Sequence, residues 1–274
     1  MAEEWLSVHV CAHSDLDRQL PVLLPAAARV HEEFGLGAWF FLRYWDGGPH
    51  VRIRLLCADR EQRTRAMSRL DGEFRRWAER NPEPRALTVA EYERSVAWIR
   101  ARETGTGVVL PLRASRTWWE TEFDGEWMPG GPSCTDAPRT LRFLKASSAV
   151  ALRAHRQHSW GERFRHGVDV LRHALREHEL GPEMTVWAER LAGDQAAEVR
   201  RRCRAQSSAT PQDRPPAAAA VAVAGLCSDV AGELGGVDAF RHAWHTHCNR
   251  LGLTLLDEAA AAWMALMSDA EVTR

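Results

Sequence analysis

An α+β fold is predicted, with an antiparallel sheet in the N-terminal half packed with a helical C-terminal half. Three observations predict it. Apolar and polar residues alternate over Trp5–Ala12. Two further apolar runs flank the turn-former Asp46-Gly47-Gly48-Pro49. After residue 132 the apolar spacing changes to i, i+3 and i+4, the period of a helix, and keeps it to the end of the chain. There is no internal repeat, and the join between the halves is too tight for two independent domains. A single domain over 1–274 is expected, strand-rich over 1–132 and helical over 133–274.

Taken in order, Trp5–Ala12 is the first strand and Leu16–Phe34 a helix despite Pro21 and Pro25. The hairpin occupies residues 38–55. A charged amphipathic helix follows over Arg60–Arg80, and Asn81-Pro82-Glu83-Pro84 ends it sharply. Strands are expected near Ala86–Tyr92, Val108–Leu112 and Trp118–Phe123, then a loop over Gly125–Pro132. Helices are expected over Asp136–His158, Trp160–Glu179, Glu183–Cys203, Ala217–Leu234, Asp238–Leu251 and Leu255–Ser268. The polar, Pro-rich stretch at 207–216, SSATPQDRPP, reads as an exposed, mobile loop.

The hairpin is the first site candidate. Side chains alternate faces along a strand, so His50, Arg52 and Arg54 share one face. With Trp45 opposite His50, Arg43 falls opposite Arg52 and Phe41 opposite Arg54. That register collects Trp39, Phe41, Arg43, Trp45, His50, Arg52 and Arg54 on one cationic, aromatic face, suited to an anionic or electron-rich planar ligand. The alternative is an ordinary half-exposed strand with solvated arginines. A slip of one residue would move part of the set to the other face.

The second candidate is the helix Asp238–Leu251. Phe240, Ala243, Trp244, His247, Cys248 and Leu251 form its apolar stripe, while His242, His245 and Asn249 fall together. His245 beside Asn249 could exchange protons near neutral pH, or could be a surface imidazole capped by an amide. The third is Trp118-Trp119…Trp127 with Glu120, Glu122, Asp124 and Glu126, a segment that could receive a peptide by strand pairing and stacking or serve as a core anchor.

Composition excludes several classes. The formal net charge of −1 gives no global field for nucleic acid or an anionic membrane. Lys145 is the sole lysine among the basic residues, a bias suited to bidentate carboxylate recognition but equally produced by GC-rich codons, the account preferred here. Six cysteines without a C-x-x-C pair, and no signal peptide, point to a reduced, cytoplasmic protein. The apolar stretch Ala217–Leu226 is too short to span a membrane. No metal is expected, since only His242 and His245 share a helical face and no H-E-x-x-H is present, and His166 and His173 read as helix-face residues. With no P-loop, G-x-G-x-x-G or G-x-S-x-G, nucleotide and hydrolase readings lack support and no cofactor is expected. Some of the twelve tryptophans could act as stacking platforms.

WLSVHVCAH (Trp5–His13), Asp17-Arg18-Gln19-Leu20, FFLRYWDGGPHVRIRL (Phe40–Leu55) and HTHCNRLGL (His245–Leu253) together resemble the glutamate-elimination domain of class I lanthipeptide dehydratases. The last of these is similar to that domain's His-x-x-x-Asn-Arg signature. Stand-alone thiopeptide enzymes, eliminases and pyridine synthases alike, resemble the same domain, and the likeness spans nearly the whole chain. The resemblance implies that domain's fold and a ribosomally made peptide as substrate.

As an eliminase the chain would remove glutamate from glutamylated Ser or Thr, with Arg52 and Arg54 on the glutamyl group and His245 in proton transfer. Family eliminases also carry an Arg-Tyr/Phe-Gly-Gly motif midway; the corresponding Trp127-Met128-Pro129-Gly130-Gly131 has no arginine. That departure favours the pyridine synthase. Such enzymes join two dehydroalanines in a formal [4+2] aza-cycloaddition, then expel water and the leader peptide.

For that chemistry the candidate catalytic residues are His245 and Arg52, on which the resemblance bears, with Tyr44 and Asn249. Arg43, Trp45, His50, Arg54, Trp244, Trp118 and Trp119 would contact a leader-bearing, azole-containing precursor. Upstream dehydratase subunits would act first. A non-catalytic, leader-binding partner subunit is a third reading.

Overall fold

Strand β1 (Glu4–Cys11) buries Leu6, Val8 and Val10 on one face and turns Trp5, Ser7 and His9 to the other. The computed structural model describes residues 4–14, 16–102, 109–123, 137–207 and 217–272. They fall into two units, one of residues up to 100 with 109–123, the other of 101–102 with 137–272.

In the first unit β1 is followed by α1 (Leu16–Phe34), β2 (Ala38–Tyr44), β3 (His50–Cys57), α2 (Arg60–Arg80), α3 (Val89–Arg100) and β4 (Trp118–Thr121). The sheet is antiparallel throughout, in the order β2-β3-β1-β4. Helix α1 runs through both prolines as expected. Helix α2 keeps its predicted ends because Asp59 accepts the Gln62 N–H at its start and Asn81 Nδ2 donates to the Trp77 carbonyl at its close. Both helices cover the face that carries Val8, Val10, Phe41, Val51 and Ile53: Trp118, on that face, donates to Asp71 of α2, and Arg43 pairs with Asp17 of α1.

Two predicted strands are absent. Ala86–Tyr92 instead leads into α3, whose start is a capping box: Thr88 Oγ1 accepts the Glu91 N–H and Glu91 accepts the Thr88 N–H. Of Val108–Leu112, residues 109–112 are described and are irregular, because their polar groups serve the hairpin turn. Asp46 accepts the Leu110 N–H, and Tyr92 Oη accepts from Gly47 N–H and donates to the Leu110 carbonyl. Gly48 must be glycine at φ +104, since a Cβ would lie 2.9 Å from Leu112 and 3.2 Å from His13.

The second unit is helical: α4 (Pro138–Gln157), α5 (Trp160–Glu177), α6 (Gly181–Ala192), α7 (Ala196–Ser207), α8 (Ala218–Leu234), α9 (Gly236–Leu251) and α10 (Leu255–Val272). The single helix expected over Glu183–Cys203 breaks at Gly193, which takes φ +54 and opens a 3₁₀ turn, Gly193–Gln195. The Arg102 guanidinium packs on that glycine and pairs with Asp194 at 2.8 Å. Glu233, on α8, accepts from Arg139 N–H, Thr140 N–H and Thr140 Oγ, capping an α4 that starts on Ala137 without a side-chain cap of its own. Of the loop expected at 207–216, Ser207 instead closes α7; its other residues and the loop expected at Gly125–Pro132 lie outside the described residues, as do Trp127, Asp124 and Glu126. Among the described residues no helix is long and apolar enough to cross a membrane.

Candidate functional sites: a histidine–arginine sheet face and a His–Glu pair

The hairpin register differs from expectation by one residue. Tyr44 pairs with His50, Leu42 with Arg52 and Phe40 with Arg54. Trp39, Phe41 and Arg43 therefore sit on the opposite, helix-covered face, and Arg43 is held by Asp17 at 3.0 Å. The strand β1 supplies their replacement: His9 pairs with Arg52 on one side and with Trp119 on the other. One face thus carries His9, Tyr44, His50, Arg52, Arg54 and Trp119, with Trp45 stacked on Tyr44 just past the strand end at 5.9 Å. The tryptophan pair divides. Trp119 joins this face, whereas Trp118 packs against Phe74 and hydrogen-bonds Asp71 on the other.

The polar contacts within the face set the tautomers. His50 Nδ1 lies 2.8 Å from the Gly48 carbonyl, which can only accept, so Nδ1 carries the proton and Nε2 accepts from Arg52 Nε at 3.3 Å. Arg54 Nη2 lies 3.3 Å from His9 Nε2, and a guanidinium can only donate, so His9 is also the Nδ1–H tautomer. The two imidazoles stack at 5.0 Å. Burial, reinforced by the charges of Arg52, His50, Arg54 and Arg113, pushes the His9 pKa down to about 2, so it stays neutral. Each of these two arginines thus has a neutral imidazole nitrogen among its acceptors. Arg52 also lies 3.4 Å over the Tyr44 ring and Arg113 4.1 Å over Trp119.

In the helical unit His245 faces a carboxylate that sequence reasoning missed. Its Nδ1 is 2.8 and 2.9 Å from the two oxygens of Glu258 on α10, and Trp187 Nε1 donates to the same carboxylate at 3.1 Å. Glu258 is 1% exposed, and its carboxyl oxygens meet polar partners from both neighbours. The pair orients the His245 ring and assigns its Nδ1 to Glu258. The residue capping His245 is thus Glu258 rather than Asn249, which stands one turn along α9 with its carbonyl taking the Gly252 N–H. Trp244 offers no stacking surface: it is fully buried and donates to the Gly167 carbonyl. His247 is buried too, bonded to Ser147 and His166. The signal for Glu258 was a lone carboxylate within the apolar run of Leu255–Ser268; that for His9 was its place in the Trp5, Ser7, His9 alternation.

A family profile described as lantibiotic biosynthesis dehydratase C-terminal matches residues 5–99. Curated proteins yield no match. Among solved structures, the pyridine synthase TbtD from thiomuracin biosynthesis is similar, with 17% identity and a TM-score of 0.72 over 98% of each chain. The tRNA-dependent lantibiotic dehydratase MibB from Microbispora sp. 107891 is similar at 15% identity and a TM-score of 0.56, over 99% of this chain and 28% of its own. At these identities the likeness is one of fold, and it establishes the α+β architecture shared with the elimination domain.

Proposed function

We propose that the chain is a cytoplasmic pyridine synthase of thiopeptide biosynthesis, acting on a leader-bearing, azole-containing peptide with two dehydroalanines. The observation that carries this reading is the fold likeness to a pyridine synthase over 98% of both chains. After one amide tautomerises, its C=C–N=C(OH) unit and the second alkene form two bonds in a formal [4+2] sense, one between the two alkene CH2 carbons and one from the second alkene's substituted carbon to the former amide carbon. It then loses water and the leader to leave an aromatic ring. Holding two distant alkenes together supplies much of the rate, on the order of 7–11 kcal/mol in good cases.

Proton movement is the remaining task. His245, fixed in one tautomer by Glu258, suits protonation and deprotonation at Nε2. Arg52 and Arg54 suit polarisation of an amide oxygen that gains negative charge as it tautomerises, since each guanidinium is oriented on this face by an imidazole acceptor. The aromatic residues of this face, Tyr44, Trp45 and Trp119, suit stacking on azole rings. Upstream enzymes would install the azoles and dehydroalanines.

The family profile over residues 5–99 favours a second reading, a glutamate eliminase in which the same arginines take the glutamyl carboxylate. Mass spectrometry separates the two. One substrate carries azoles and two dehydroalanines, the other glutamylated serine. Release of the leader with formation of an aromatic macrocycle is the expected result. Loss of glutamate from the second substrate would overturn it in favour of the eliminase, and binding without any mass change would favour a non-catalytic leader-binding subunit.

A further inference from the structure

Helix α4 carries five Lys and Arg residues and no carboxylate. Arg142, Lys145, Arg153 and Arg156 are all exposed. At 100° per residue they fall, with the small Ala149 between them, in a strip ~80° wide and ~21 Å long. Arg142 has one distant carboxylate, Asp229 at 4.0 Å; Lys145, Arg153 and Arg156 make no ion pair among the described residues. The helix α2 is as rich in arginine but neutralises it internally, through Arg65–Glu61, Arg69–Glu73, Arg75–Asp71 and Arg76–Glu73. Like charges three residues apart, as in Arg142/Lys145 and Arg153/Arg156, destabilise a helix. In a chain of formal net charge −1 such a stripe is a local concentration of charge rather than a reflection of composition. Just beyond its C-terminal end in sequence, at the start of α5, Trp160 is 49% exposed and stacked on Phe164 at 5.3 Å.

We propose that this stripe docks an acidic peptide segment. A strand of about six residues spans ~21 Å at 3.3 Å per residue, so alternate carboxylates along an extended peptide can meet the four cations in turn. A nucleic acid fits less well: the stripe is a single row, its one aromatic platform lies at the end, and the chain as a whole has no positive field. Under the function proposed above the segment is the leader of the substrate, and only that identification rests on that reading.

The test is fluorescence anisotropy with the full-length protein and a labelled twelve-residue peptide of alternating Glu and Ser. It is repeated with the variant R142A/K145A/R153A/R156A, whose alanines suit an exposed helix. The expected result is binding that weakens with added salt, at least tenfold weaker in the variant, with unchanged thermal unfolding. Equal affinity for both proteins, or for the Gln/Ser version of the peptide, would overturn the proposal. So would tighter, stripe-dependent binding of a twelve-nucleotide single-stranded RNA, which would make the surface a nucleic-acid site. Turnover then tests the leader. On a leader-bearing dehydroalanine substrate the variant should raise KM about tenfold and leave kcat unchanged; an unchanged KM would overturn the leader assignment alone. If the wild-type protein converts no such substrate yet binds the acidic peptide through the stripe, the functional reading fails and the docking site stands.

Discussion

His245 and Glu258 form an imidazole–carboxylate pair across two helices, α9 and α10, with Nδ1 within 2.9 Å of both carboxylate oxygens. Trp187 Nε1 donates to the same carboxyl group, which at 1% exposure is shut off from solvent. The contact fixes the orientation of the His245 ring and which of its nitrogens faces the carboxyl group.

Replacing Glu258 by Gln keeps the shape but gives the pair a donor where two donors already point. If His245 transfers the proton as proposed, kcat should fall by about 10²-fold or more, with KM within about twofold. Steady-state kinetics on the dehydroalanine substrate check this. A variant that merely melts earlier, with full activity per folded molecule, would reduce Glu258 to a structural residue.

His9 and Arg54 make a second, independent prediction. His9→Gln retains an acceptor within reach of the guanidinium, whereas His9→Phe retains only the ring. Substrate affinity should survive the first within about threefold and drop about tenfold or more in the second, the loss expected of a charge-assisted hydrogen bond. Nitrogen-15 NMR gives a readout free of any assumption about function. It should find His9 protonated on Nδ1 and neutral down to about pH 4, given the burial and surrounding charge that hold its pKa near 2. An Nε2–H signal would be incompatible with the Arg54 contact.

Trp244 and Trp119 separate core from surface. Trp244 is fully buried among the helices, so Trp244→Ala should destabilise by about 3–5 kcal/mol. Trp119→Ala, removing a partly exposed ring beneath Arg113, should leave stability within about 1 kcal/mol while weakening binding of an azole-bearing peptide severalfold. Urea unfolding and peptide titration on both variants decide the matter; the reverse pattern would return Trp244 to the binding surface.

Most of the architecture was legible because long amphipathic helices such as Leu16–Phe34 and Arg60–Arg80 announce themselves over many turns. The hairpin was visible but its register was not. Asp46-Gly47-Gly48 marks a turn, yet the loop's length depends on both glycines taking positive φ and on Gly48 N–H reaching the Trp45 carbonyl. That one-residue difference exchanged Arg43 for His9 in the site. At Thr88–Glu91 the capping box lay in plain sequence and outweighed the β-like alternation before it. Glu258 was hidden for another reason: its partner His245 lies on a different helix, and periodicity carries no information on which helices meet.

The last prediction concerns the buried chain Arg250, Ser147, His247 and His166. Arg250 can only donate, so Ser147 Oγ accepts at 2.9 Å; Ser147 meets His247 Nδ1 at 2.8 Å, and His247 Nε2 meets His166 Nε2 at 3.1 Å. Burial, with the charge of His158, pushes His166 down to about 4; burial, with His166 and Arg250, pushes His247 well below its ordinary 6.5. Both stay neutral in the folded protein over a range where the unfolded chain takes up protons. The unfolded state then binds more protons, so stability rises with pH in this window. It is fully present above about pH 7, declines as the pH falls through 6.5, and for His166 levels off near 4, a loss on the order of 3 kcal/mol. Urea midpoints measured between pH 7.5 and pH 4.5 should therefore fall steadily, and His166→Gln should flatten that slope. A slope unchanged by the substitution would show that the loss of stability in acid arises from other groups.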